Sequence, residues 1–138
     1  MPNITLHTDG ACRGNPGAAS IAYRIDGLPE VIEHAEKIGD TTNNQAEYRA
    51  MVAALTALGE LGPTNSSINC FADSELMIKQ INGEYRVKDE LLRPHFLAIK
   101  QLIGILEIAG NELSFTAVRR EQNKRADELA NLALDGLI

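Results

Sequence analysis

An α/β fold with one mixed sheet is predicted for this chain, and three observations predict it. Residues 3–38 carry three strand-like segments in a row, with a hairpin signal between the second and third. Beyond them, helical and strand-like segments alternate. The longest helical segment shows a broad apolar stripe, as expected of a helix packed on a sheet. The order reads β, β, β, α, β, α, α, β, α. It gives a five-stranded sheet that opens with an antiparallel meander and carries helices on its faces.

Residues 3–8 (NITLHT) form the first strand, because Ile4, Leu6 and the β-branched Thr5 and Thr8 suit a pleated surface. Asp9-Gly10 follows, so Asp9 is expected at a strand's carboxyl end, where α/β sheets place their ligands. Gly10, Gly14, Pro16 and Gly17 then turn the backbone tightly. Residues 17–26 (GAASIAYRID) form the second strand, and Asp26-Gly27 is a hairpin turn signal. Residues 30–38 return as a third strand, polar enough for a sheet edge. Residues 40–44 (DTTNN) are a loop rich in capping residues. A helix over 44–60 follows, stopped by Gly62-Pro63. Residues 67–72 form the fourth strand and end at Asp73. A short helix covers 74–82, and 83–89 is a polar, partly basic loop. An amphipathic helix over 90–108 places Leu91, Leu92, Phe96, Ile99, Leu102, Ile103 and Leu106 on one stripe, with Pro94 in its first turn. The fifth strand is 112–118 and the last helix 123–136. No repeat or linker interrupts the 138 residues, so a single domain over 1–138 is expected.

With 44% hydrophobic and 23% charged residues, the composition supports a folded core without staples. Cys12 and Cys70 match no metal-ligand spacing; free thiols are the expectation, and a disulfide stays open. No apolar run approaches the ~18 residues that a membrane helix needs, so a soluble, cytoplasmic, monomeric protein without membrane contact is expected. The formal net charge of −6 counts against nucleic-acid binding through a bulk positive field. Acids gathered to hold cations would contribute to that charge.

Four acids carry the chemistry, each with a plainer alternative. Asp9 could be a simple Asp-Gly turn. Glu47 shares a helix face with the apolar Ala50, Met51, Ala54 and Leu58, where a carboxylate is costly unless paired or bound to a cation. Its alternative is a capping device, Asn44 with Glu47 or Thr42 with Gln45. Asp73 could be an ordinary N-cap. Asp127 could act on the dipole of the last helix, with Asn123 as the cap. Taken together, two of the acids end strands and two begin helices that pack on the same sheet. If the first and fourth strands are neighbours, Asp9 and Asp73 lie side by side and repel unless cations bind. Ligands that are all oxygen suit Mg²⁺ or Mn²⁺ rather than zinc.

TDGACRGNPGAA (8–19), TTNNQAEYRA (41–50), FADSELMIKQINGEYRVK (71–88) and NKRADELAN (123–131) resemble the successive motifs of type 1 ribonuclease H over nearly the whole chain. The resemblance implies the ribonuclease H fold, with sheet order 3-2-1-4-5. It implies endonucleolytic hydrolysis of the RNA strand of an RNA–DNA hybrid with two Mg²⁺ or Mn²⁺ ions, leaving 5′-phosphate and 3′-hydroxyl ends. By motif position, Asp9, Glu47, Asp73 and Asp127 take the metal-ligand and catalytic places. Ribose 2′-hydroxyls would be read by Cys12, Arg13, Gly14, Asn15, Asn43, Asn44, Gln45 and Glu75. Thr42 and Asn15 would donate to phosphates of the DNA strand. Loop capping is the alternative for each of these residues.

Two departures qualify the resemblance. Many type 1 enzymes carry a histidine in the loop before the last acid. Here that loop reads VRREQN, and Arg120 best matches the position. Arginine holds phosphate but shuttles no proton near neutral pH. Arg119 and Arg120, with Lys124 and Arg125, form the densest basic cluster. The second departure is an absent basic handle: some family members insert a lysine- and arginine-rich, tryptophan-containing helix after the second helix, and this chain has no tryptophan. Lys79, Arg86, Lys88 and Arg93 read as dispersed, so weak and salt-sensitive hybrid affinity is expected. Two rival functions remain at this level: a related metal-dependent nuclease acting also on double-stranded RNA or RNA–DNA junctions, and a non-catalytic nucleic-acid-binding module. The module predicts a lost acid, and all four are present.

Overall fold

Alternation along the first strand sets the architecture. Ile4 and Leu6 are buried while Thr5 and His7, alternating with them, are partly exposed. One apolar face therefore needs a cover, and the first long helix supplies it. A computed structural model describes residues 1–138. Its elements are β1 (Asn3–Gly14), β2 (Gly17–Asp26), β3 (Ile32–Thr41), α1 (Asn43–Leu61), β4 (Ser67–Ala72), α2 (Glu75–Ile81), α3 (Arg93–Ile108), β5 (Glu112–Ala117) and α4 (Lys124–Leu134). A single 3₁₀ turn at Arg120–Gln122 precedes α4.

The sheet order is β3-β2-β1-β4-β5, with β1–β3 antiparallel and β4 and β5 parallel to β1. α1 packs on β1 and β2 and against α3, enclosing Leu6, Ile25, Met51, Leu55, Leu58 and Ile68. α4 lies against β1, β2 and β3 over a smaller core of Ala22, Leu129 and Ala130, with Ala11 and Ala35 beside it. Small residues there let α4 approach the sheet closely.

Three elements differ from the sequence reading. β1 does not stop at Thr8. Its pairing with β4 ends at His7↔Phe71, but it runs on with β2 as a two-stranded ribbon to Gly14↔Gly17. The glycines that suggested a loop instead form the ribbon and its tight tip. There Gly14 takes φ +97°, a conformation that costs glycine little. β3 spans Ile32–Thr41 rather than 30–38, so Asp40 and Thr41 of the expected loop pair with β2 as strand. α3 begins at Arg93, after a turn; Leu92 is buried, but Leu91 is 60% exposed and leaves the expected stripe. Pro94 does fall in the first turn, where its missing N–H costs nothing. Both cysteines are free thiols, and Cys70 is buried.

Candidate metal centre

Asp9 sits where the β1–β4 pairing ends and the ribbon begins. Gly10, next to it, makes the site possible. A Cβ at Gly10 would collide with the backbone of Ala46 and Glu47 at the head of α1. The missing side chain lets α1 come up against β1 and brings Glu47 beside Asp9. Asp73 follows β4, the strand parallel to β1. One carboxylate oxygen from each of Asp9, Glu47 and Asp73 lies within 4.8 Å of the others.

Of the capping alternatives, the pairing of Thr42 with Gln45 forms, and those that would occupy Glu47 or Asp73 do not. α1 is capped by Thr42, whose Oγ1 accepts the Gln45 N–H at 3.2 Å; Asn44 lies inside the first turn, and Glu47 plays no part in the cap. α2 is capped by Ser74, whose Oγ accepts the Met77 N–H at 3.3 Å, so Asp73 has no capping duty. Asn123 does precede α4, but its side chain makes no cap. It is buried, and its Nδ2 donates to the Thr8 carbonyl at 2.8 Å, tying the head of α4 to β1 one residue before Asp9.

Electrostatics mark the cluster as incomplete on its own. Burial, then the charges of Asp73 and Asp127, push the Asp9 carboxyl up to about 8. Burial, followed by Asp9 and Asp73, holds Glu47 well above the usual carboxylate range, with the Gly10 backbone N–H pulling the other way. Asp73 is raised by burial, while Arg120 opposes the rise. Glu47 Oε2 is shut off from solvent and has no hydrogen-bond partner. An all-oxygen donor set with an unpartnered buried oxygen fits a hard divalent cation such as Mg²⁺ or Mn²⁺.

Asp127 lies outside this triad but close enough for its charge to act on Asp9. It is engaged by two side chains. Arg120 Nη2 reaches its Oδ1 at 3.1 Å, and Asn131 Nδ2 donates to its carbonyl at 2.9 Å and to Oδ1 at 3.3 Å. Arg13, read from the sequence as a substrate contact, goes to α4 instead. Its Nη2 meets Asp135 at 2.9 Å and Asn131 Oδ1 at 3.3 Å.

A family model described as RNase H matches residues 1–135. The chain belongs to the RNase H family. A Halobacterium salinarum protein described as ribonuclease HI is 41% identical over 135 residues, covering 96% of this chain and 64% of that one. A Mycobacterium tuberculosis protein described as the bifunctional protein Rv2228c is 33% identical, with 96% of this chain but 35% of its own length covered. The chain thus spans only part of these relatives. Among solved structures, RNase H1 from Halobacterium salinarum superposes with a TM-score of 0.86 at 37% identity, covering 97% of this chain and 98% of that one. LC11-RNase H1 in complex with RNA/DNA hybrid superposes with 0.84 at 38% identity, covering 96% and 97%.

Around the RNase H cluster, the other expected residues divide. A cavity of about 370 Å³ is lined by Asp9, Glu47 and Asp73 together with Cys12, Arg13, Asn43 and Arg120. Asn15 Oδ1 accepts the Asn43 N–H at 3.0 Å, joining the ribbon tip to α1. The Cys12 thiol points at backbone carbonyls, among them Thr41 O at 3.1 Å. Gly14 lies at the exposed ribbon tip. Asn44 is exposed and Gln45 is partly exposed on the first turn of α1. Glu75 is turned to Lys79 at 2.8 Å, and Arg119 is exposed near Glu121. Sequence reasoning missed Ser74 and Asn131, and it gave Asn123 a capping role in place of its bond to the Thr8 carbonyl. The four-residue spacing of Asp127 and Asn131, one helical turn, was the available signal for Asn131.

Proposed function

We propose that this chain is an endoribonuclease that hydrolyses the RNA strand of RNA–DNA hybrids and leaves 5′-phosphate and 3′-hydroxyl ends. The observation that carries the reading is the convergence of Asp9, Glu47 and Asp73 within 4.8 Å, inside a fold shared with a solved RNase H1 that holds RNA/DNA hybrid. Asp9, Glu47 and Asp73 would hold two Mg²⁺ or Mn²⁺ ions, with Asp127 completing the set. When bound, such ions supply a polarised attacking water and charge neutralisation at the leaving oxygen.

The chain's own residues position the substrate. Arg120 stands at the rim with its guanidinium on Asp127, able to exchange that carboxylate for a phosphate oxygen. The Thr42 hydroxyl, which accepts from Gln45, keeps its proton free to donate. Asn15 keeps its Nδ2 free while its Oδ1 is held by Asn43. Both can therefore serve DNA phosphates, while Asn43, Asn44 and Gln45 offer polar groups to ribose 2′-hydroxyls.

Cleavage of end-labelled hybrid, double-stranded RNA and double-stranded DNA, each with Mg²⁺, Mn²⁺ or chelator, tests the reading. Metal-dependent cuts confined to RNA in the hybrid are expected. Equal cutting of double-stranded RNA would replace hybrid specificity with a relaxed ribonuclease. No cutting of any substrate would refute the enzyme reading.

A further inference from the structure

We infer that Asn131 is a positioning residue for the acid cluster. It fixes one oxygen of the Asp127 carboxylate and leaves the other free for a cation, and Arg13 holds Asn131 in turn. The inference rests on the proposed function and extends it to residues beyond the four acids.

Asp127, Asn131 and Asp135 are spaced four apart, so they stack along one face of α4 and its C-cap. That face looks onto the acids. Asn131 lines the same cavity of about 370 Å³ as Asp9, Glu47 and Asp73.

Five side chains are joined in a line across it. Arg120 Nη2 donates to Asp127 Oδ1 at 3.1 Å, and Asn131 Nδ2 donates to the same oxygen at 3.3 Å. The Nδ2 group also donates to the Asp127 carbonyl at 2.9 Å, which steadies the amide against its own helix. Asn131 Oδ1 accepts from Arg13 Nη2 at 3.3 Å, and that nitrogen reaches Asp135 Oδ1 at 2.9 Å. The line thus runs from the last acid to the β1–β2 ribbon.

The chemistry of the neighbours dictates the residue in the middle. A carboxylate on one side needs a donor, and a guanidinium on the other needs an acceptor. An amide supplies both and carries no charge. The same two partners settle which end of the amide faces which. An aspartate at this position would repel Asp127, and a lysine would repel Arg13.

Both bonds to the Asp127 carboxylate fall on Oδ1, and no donor of the protein reaches Oδ2. This division matters once substrate arrives. Under the proposed function Arg120 leaves Asp127 for a phosphate oxygen. Asn131 is then the one side chain still on Oδ1. Without it the carboxylate turns freely, and the like charge of Asp9 favours turning it away from the cluster. Groups that orient a metal-holding carboxylate are typically worth about 10–100-fold in metal affinity or activity.

The test compares the wild type with Asn131→Leu, which keeps the size of the side chain and removes its donor and its acceptor. Circular dichroism and thermal unfolding compare the folds. Calorimetry reads Mn²⁺ affinity without nucleic acid, and steady-state cleavage of a labelled hybrid reads kcat and KM. The expected result is a kcat about tenfold lower and a Mn²⁺ Kd about fivefold higher, with KM unchanged. Ser114→Ala, which loses an exposed bond to Asn69 between β4 and β5, should change none of these. Arg13→Ala should give a smaller loss of the same kind. Adding it to Asn131→Leu should cost nothing more, because Arg13 acts through Asn131. A lower Tm with kcat and Mn²⁺ affinity unchanged would make Asn131 a stabiliser of α4 alone and overturn the inference. A raised KM at unchanged kcat would make it a substrate contact and overturn it too. Additive losses from Arg13→Ala and Asn131→Leu would overturn the part played by Arg13. A wild type that cuts no hybrid would instead sink the proposed function, and the Mn²⁺ titration alone would decide whether Asn131 serves Asp127.

Discussion

The two ends of α2 handle charge in opposite ways. At its start, Asp73 joins Asp9 and Glu47 in a space where oxygens stand within 4.8 Å of one another. At its end, Arg86, Lys88 and Arg93 line an open cavity, with Arg93 held on the Val87 carbonyl at 3.0 Å. The acids are desolvated and raise one another's proton affinity; the cations are solvated and apart. Crowded like charges need an outside counter-ion, whereas spaced ones stand at small cost to the fold. The four predictions below all probe the acidic end of this contrast.

The largest effect should come from Asp9→Asn. It removes one crowded charge, and hybrid cleavage should fall by about three orders of magnitude or more, roughly 4 kcal/mol of transition-state stabilisation. The fold should persist. Single-turnover cleavage of labelled hybrid reads the loss, and full activity in the variant would dissolve the metal-centre argument.

The second effect is on stability. Because the Asp9 carboxyl is pushed up to about 8, the folded chain binds that proton more tightly than the unfolded chain does. Between about pH 4 and pH 8 the folded state holds more protons, so stability of the metal-free protein falls as pH rises through that window. Asp9→Asn should remove the decline and gain on the order of 2 kcal/mol at pH 8, with no gain near pH 4. Mg²⁺ should recover the loss in the wild type. Urea midpoints at both pH values, with and without Mg²⁺, measure it; a flat wild-type profile would mean the acids are not crowded.

Ser74→Ala should cost about 1 kcal/mol by uncapping α2, while Asp73→Asn should leave that cap intact and abolish cleavage. Thermal unfolding of the two variants separates cap from ligand. The reverse pattern would return Asp73 to a structural role. The smallest effect is expected at Arg120→Ala: hybrid affinity weaker by several-fold, about 1 kcal/mol, and metal affinity changed less. Calorimetric titration with Mn²⁺ beside hybrid binding decides whether Arg120 serves phosphate or the acids.

The sheet order was implied by the family resemblance, whereas the acids themselves were legible because each motif pairs a strand end or helix head with an acid. What was not legible depends on distant partners or on near-equal local choices. Thr42 and Asn44 are both good caps, as are Asp73 and Ser74, and only geometry decides between them. Gly14 and Pro16 read as a loop, because a ribbon tip and a loop use the same turn residues. Arg13 finds Asp135 from the other end of the chain, and no local pattern announces that. The basic loop was hidden for the same reason: Arg86, Lys88 and Arg93 show no helical or strand period, and they meet only because the chain reverses between α2 and α3.

β1 lies at the centre of the sheet, with one neighbour local and the other remote. Its ribbon with β2 can zip from the tip, whereas its parallel pairing joins Asn3 to Ser67 across all of β2, β3 and α1. Closing that distance costs chain entropy before any contact repays it, so the parallel half of the sheet should assemble late. The four acids come from β1, α1, the end of β4 and the head of α4, which makes the cluster a report on the finished fold. A chain still being synthesised has the first acids but not the last. Under the proposed function, the full set of four acids would form only once the C-terminal helix has docked, and divalent ions should then favour completed molecules over partial ones.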